Sequence, residues 1–322
     1  MSSPELHKAQ RLDSTLPHLD LVAVRAGIVR RKVFDGLFAI VGLLVLLIAL
    51  LTLLTLITQL AVQGYPRLTQ QFFSSFPSSA PEEAGILAAW VGTCLVMLVT
   101  AAAAVPVGVA AGIYLEEYAR KGWLADLIEI NVTNLAGVPS IVYGLLALGL
   151  FNYYFKLGES VLTAGLTLAL LVLPIVIVTT REALRAIPRS LREAAYALGA
   201  SKWRMIWDHV LPYSAGSIMT GVIIGLSRAI GETAPLVTIG ALTFIAFLPE
   251  PPLKGTFPFL SFEWLKAPFT VMPIQMFNWV SRPQPEFQTN AAAAGVVLIA
   301  MTLAMNGLAI YLRYRFRKGI KW

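Results

Sequence analysis

Long apolar runs dominate the pattern of this chain. They cover residues 34–62, 85–115, 134–155, 161–180, 214–247 and 291–312. An α-helix rises 1.5 Å per residue, so about 20 apolar residues cross the hydrocarbon core of a bilayer. All of these runs meet that length. The pattern predicts an all-α fold, a polytopic membrane helix bundle of six transmembrane helices. The second run is rich in Ala and Gly, which favours close helix packing. The polar remainder divides the chain into a tail (1–33), a transmembrane domain (34–312) and a basic tail (313–322). Inside the domain lie a charged loop at 181–213 and a large loop at 248–289. The second loop carries Pro249, Pro251, Pro252, Pro258, Pro268, Pro273, Pro283 and Pro285, which excludes one long helix. We expect it to form an ordered cap.

Composition agrees. Hydrophobic residues make up 57% and charged residues 13%, where a soluble domain has about 25% charged. So few charges cannot cover a water-facing surface. The net charge of +7 does not indicate nucleic acid, because Lys and Arg cluster at the ends of the apolar runs. With the N-terminus inside, inner segments carry 19 Lys and Arg and outer segments 5, with Arg228 within a span. That bias predicts both termini in the cytoplasm and the charged loop on the same side. The polar first thirty residues contain no apolar core, so a cleaved signal peptide is not expected and the first span serves as its own insertion signal. Cys94 is the single cysteine. It reads as a small buried or lipid-facing side chain.

The charged loop contains EAAYALGASKWRMIWDHVLP, residues 193–212. Ser190 stands three residues before Glu193, as in a capping box. Ala194, Ala195 and Leu198 offer a small, smooth face, and Gly199 can turn the chain with φ > 0. A second short helix is expected to carry Trp203, Ile206 and Trp207 at helical spacing. Pro212 is expected to mark the restart into the fifth span. Physical chemistry alone allows two roles, an amphipathic hairpin lying on lipid or a docking surface.

The fifth span contains GLSRAIGETAPLVTIG, residues 225–240. Arg228 and Glu232 lie four apart and share a helix face. Charges at membrane depth cost at least ~2.5 kcal/mol each on insertion scales. They therefore line a pathway or form a buried pair that holds the bundle together, and both roles stay open here. Gly231 and Pro235 permit a break beside the charges, tolerated where it lines a cavity. Thr233 adds a hydroxyl, and the Arg fork suits phosphate oxygens. The stretch NLAGVPSIVYGLLALGLF, residues 134–151, repeats the theme. Gly137, Pro139 and Gly144 thin or break a helix that carries Ser140 and Tyr143.

On these residues the chain resembles a known family. Glu193, Ala194, Ala195, Gly199, Leu211 and Pro212 match the "EAA" loop of ATP-binding-cassette importer permeases, with His209 where the family usually has an aliphatic residue. GVPSIVYGL and RAIGETAPL resemble the permeases of phosphate-specific importers, and the second, with FNWVSRPQPEFQ at 277–288, resembles the PstA-type. The likeness runs from Phe34 to Lys318. It implies a type I importer fold in a bacterial inner membrane. It implies partners: a PstC-type sister permease, an ATPase dimer, a periplasmic or surface phosphate-binding protein, phosphate and membrane lipid. The loop residues are implied to couple to the ATPase. Arg228, Glu232, Thr233, Pro235, Ser140 and Tyr143 are candidates for the translocation pathway. The sequence has no Walker-type phosphate loop. ATP and Mg are therefore expected on the partner ATPase. Neither a cofactor nor a metal is expected on this chain, and no enzymatic activity. Three alternatives remain: a permease for molybdate or sulfate, a membrane enzyme acting on lipid phosphates, and a purely structural partner of another transporter, against which the charges within the fifth span argue. The best acidic patch for such an enzyme, Glu116, Glu117, Asp126 and Glu129, lacks metal-like spacing and reads as a solvated loop.

Overall fold

The computed structural model describes residues 21–120, 122–252 and 261–318, and every regular element among them is helical. His7, His18 and most of the N-terminal tail lie outside the described residues, as do Lys121, Lys254, Pro258 and the end of the basic tail. The chain divides into two units, Met1–Gln59 and Leu60–Trp322.

The first unit is most of helix α1 (Leu21–Gly64). From residue 30 to 59 its apolar side chains are exposed all round, which is what a helix presents to lipid. Thr52, Thr55 and Thr58 donate their hydroxyls to the carbonyls four residues earlier, at 2.9, 2.8 and 2.7 Å. A polar side chain in hydrocarbon needs such an internal acceptor.

The second unit is built round α2 (Leu87–Ile113), α3 (Trp123–Leu135), α4 (Ser140–Ala147) and α5 (Val161–Arg185). It continues with α6 (Arg189–Ala197), α7 (Leu211–Ile230), α8 (Ala234–Thr238), α9 (Met272–Val280) and α10 (Glu286–Lys318). The most buried helix is α5, packed on both α2 and α7. Gly108 and Gly112 of α2 meet Val176 and Thr180 with no room for a β-carbon. Thr100 ties α2 to α5 through the carbonyl of Gly165, 3.2 Å away. Small residues are what permit this approach where lipid supplies no hydrophobic drive.

The structure revises the expected spans. Among the described residues five helices are long and apolar enough to cross a membrane, and a sixth span exists only if one bent pair counts as one. That pair is α3 with α4 and its extension through Tyr154, bent by 105°. The expected third span, 134–155, is divided at this bend: α3 ends at Leu135, and α4 starts at Ser140 after Pro139 at φ −55, ψ 134. The fifth span ends at Ile230 instead of 247, and the chain beyond Thr238 is irregular. Its beginning is also different. Lys202–Ile230 is one continuous helical run, so Pro212 marks no restart. The wide π-turn at Met205–Val210 lies immediately before the proline and accommodates its missing N–H.

The described part of the proline-rich loop is folded. Trp279 of α9 packs between Phe72 and Phe287, with ring centroids 5.9 and 6.4 Å away. Leu242 N–H donates to Phe269 and Val161 N–H to Ala267, which pins the loop to the bundle.

Candidate functional site

Helix α7 stops where Gly231 follows Ile230, and α8 begins at Ala234 with Pro235 in its first turn. The proline's absent N–H falls where a helix has no internal acceptor. The break that Gly231 and Pro235 permit is thus an interruption of the helix. Arg228 sits in the last turn of α7, where its charge complements the negative end of the helix dipole. Its Nε lies 3.3 Å from Glu232 Oε1. The Arg228 side chain is 45% exposed and that of Glu232 is 18% exposed. Thr233 precedes α8, and its hydroxyl makes no capping bond.

The second broken stretch comes to the same place. Helix α4 packs on α8. A β-carbon on Gly144 would stand 2.7 Å from Pro235 Cα, so only glycine fits this crossing. Pro235 is buried at the contact. Tyr143, also buried, donates to the carbonyl of Leu135 at 2.8 Å and so closes the bend between α3 and α4. Ser140 opens α4, half-buried. Two stretches about ninety residues apart thus meet at one irregular crossing.

The loop residues form a second site. Gly199 has φ +79, and nothing lies within 4 Å of the place a β-carbon would take, so backbone conformation alone selects glycine. Ala195 turns inward onto Leu184, Met205, Ile206 and Val210. Glu193, Ala194 and Leu198 face out, so the expected smooth face is divided between core and surface. Ser190 does not cap α6. Pro188 holds the N-cap position at ψ 142, which starts the helix one residue before Ser190. Ser201, which pattern alone did not single out, accepts from Arg204 N–H and caps the next turn. Trp203 and Trp207 stand exposed with ring centroids 5.2 Å apart, whereas Ile206 is buried. Leu211 and Pro212 are half-buried.

Three of the four acidic residues expected in a solvated loop are paired instead. Glu116 and Glu129 share Arg181 and Arg185, with the shortest contacts at 2.9 and 2.8 Å. Glu117 holds Arg192 at 2.8 Å, and its side chain is 8% exposed. Asp126 is exposed. The arginines stand on α5 and α6, far from the acids in sequence, so no local pattern announced the pairing. Among the described residues no group of three or more His, Cys, Asp or Glu is placed to hold a metal ion.

Residues 104–321 match the family model described as binding-protein-dependent transport system inner membrane component. The chain is 38% identical over 233 residues to the phosphate transport system permease protein PstA of Yersinia pestis, covering 70% of this chain and 71% of that one. It is 33% identical over 259 residues to the protein of the same name from Haemophilus influenzae, covering 80% and 85%. Among solved structures it resembles a bacterial alginate ABC transporter crystallised with an alginate pentasaccharide-bound periplasmic protein. The TM-score is 0.63 at 14% identity, over 90% of this chain and 98% of that one. At that identity the likeness is one of fold.

Proposed function

This chain belongs to the family of binding-protein-dependent transport system inner membrane components, and from that premise we propose that it is the PstA-type half of the translocation pathway in an ATP-driven phosphate importer. Membership makes it a multi-pass permease subunit of an ATP-binding-cassette importer, which works with a separate ATPase and a substrate-binding protein. Phosphate as substrate is supported by relatives named for phosphate transport. The observation that carries it in this chain is the meeting of α4 and α8 beside the Arg228–Glu232 pair.

The chemistry follows from that placement. The guanidinium of Arg228 offers paired N–H donors that match two phosphate oxygens. Between transport events Glu232 occupies it, so an entering anion exchanges with a carboxylate instead of filling an empty cation. That exchange limits affinity and favours release. Ser140 and Thr233 supply hydroxyl donors, while Tyr143 is committed to Leu135 and shapes the bend. The irregular backbone at Gly231–Thr233 lets α8 shift against α7 without breaking a continuous helix. Glu193, Ala194, Gly199 and the exposed Trp203–Trp207 pair receive the ATPase dimer, with Ala195, Leu211 and Pro212 seating the loop on the bundle. ATP and Mg stay on that partner. A PstC-type sister permease completes the pathway, and a phosphate-binding protein delivers the anion on the opposite face. Both termini and the loop lie in the cytoplasm of a bacterial inner membrane.

The test is uptake of radiolabelled phosphate by vesicles that contain this chain, the sister permease, the ATPase and the binding protein. Unlabelled phosphate should compete, and molybdate and sulfate should not. Transport of sulfate or molybdate with no uptake of phosphate would assign the site to another oxyanion.

A further inference from the structure

One guanidinium joins three elements of the second unit. Arg192, in the first turn of α6, donates to Glu117 through Nε at 3.2 Å and Nη2 at 2.8 Å. It also donates to the carbonyls of Leu184, at 2.8 Å, and Ile187, at 2.7 Å. Leu184 belongs to the last turn of α5 and Ile187 to its link with α6. Glu117 lies on the π-turn Tyr114–Tyr118 that ends α2. Beside this joint Glu116 and Glu129 clasp Arg181 and Arg185, which fastens α3 to α5. The opposite end of α3 is held to α4 by Tyr143 at Leu135, and α4 abuts Pro235 of α8 through Gly144. A continuous line of direct contacts runs from the charged loop to the broken span.

We propose that Arg192 and Glu117 are positioning residues of a transmission joint, making α6, the end of α2 and the end of α5 move as one body when the ATPase changes state. This rests on the assignment of α6 as the ATPase contact. The physical reason lies in burial. Glu117 and Arg192 are 8% and 18% exposed, so neither charge can leave the other and hydrate without a large penalty. The guanidinium satisfies the carboxylate and two end-of-helix carbonyls in one fork, a geometry that an ammonium does not reproduce. A shift of α6 therefore either carries the ends of α2 and α5 with it or strands a buried carboxylate. The pairs on Arg185, half exposed, add orientation to that joint and little strength.

The experiment uses the assembled complex with both permeases and the ATPase. Spin labels are placed at two exposed positions, Ser190→Cys on α6 and Tyr114→Cys on the π-turn that ends α2, in a Cys94→Ala chain, and their separation is measured with and without ATP and vanadate. With Glu117 present the separation should stay constant on trapping. In Glu117→Gln it should change, while ATP hydrolysis and complex yield are kept and phosphate moved per ATP falls about tenfold. Glu117→Asp should restore both readouts. An unchanged separation in Glu117→Gln on trapping overturns the joint. So does a separation that already changes in the parent chain. The separation reads the joint without reference to substrate, so failure of phosphate uptake in the parent complex would count against the proposed function alone.

Discussion

Arg228 and Glu232 are each explained by the other and by the helix end they share. A 3.3 Å contact across i, i+4 satisfies both charges, yet Arg228 retains an exposed edge that a buried scaffold pair would lack. That edge predicts how variants separate pathway from scaffold. Arg228→Gln should lower phosphate uptake by about a hundredfold, since it strands Glu232 and removes the fork together. Arg228→Lys keeps the charge and loses the paired geometry, so weak but phosphate-selective uptake should remain. Glu232→Gln should alter affinity or release while the complex still assembles. The double Gln variant decides the matter. If the pair only holds the bundle, removing both charges restores assembly and transport. Full uptake by the double variant in reconstituted vesicles would remove Arg228 from the path.

At the level of elements, caps and turns of the loop carry distinct expectations. Ser201 accepts the Arg204 amide, whereas Ser190 lies inside α6 with Pro188 ahead of it. Ser201→Ala should cost about 1 kcal/mol, seen as a lower midpoint in thermal unfolding of the purified complex. Ser190→Ala should be silent in the same scan. Gly199 separates conformation from contact. Asp tolerates φ > 0 better than most residues, and open space surrounds the position. Gly199→Asp should therefore insert and fold, and should lose ATPase copurification because a charge enters the proposed docking surface. Gly199→Val should lose the turn as well. Retention of the ATPase by the Asp variant would mean that the partner docks elsewhere.

For the whole molecule, the distribution of Lys and Arg sets a direction in the membrane. The count of 19 against 5 predicts that the loop and the basic tail lie on the cytoplasmic side. Single cysteines on a Cys94→Ala background read this directly. Position 202, exposed on the loop, should react with an impermeant thiol reagent only after the membrane is opened. Position 266, in the 3₁₀ turn Glu263–Lys266, should react from outside. Labelling of position 202 in sealed cells would invert the topology.

What the sequence determined by itself was the solvent, the element type and the places where helices fail. Apolar runs of membrane length demand helices, because backbone polar groups in lipid must be satisfied within the segment. Pro139, Gly199, Gly231 and Pro235 act through their own backbones, so breaks and turns near them were legible before any neighbour was known. The candidate residues Arg228 and Glu232 were visible because a charge inside an apolar run is conspicuous, and the Glu193–Pro212 spacing because its signal is local. Tertiary structure decided which breaks meet. Nothing in the stretch round Ser140 and Tyr143 states that its glycine will rest on Pro235, since that depends on where α5 and α7 hold the two segments. It also decided the partners of Glu116, Glu117 and Glu129, which lie 52 to 75 residues from their arginines. And it set the ends of the spans. Pro212 looked like a restart and is carried within one helix by a π-turn, because packing of Met205, Ile206 and Val210 against Leu184 and Ala195 holds that turn in place. Backbone rules and lipid act on each segment alone, whereas pairing and register come from close packing between segments.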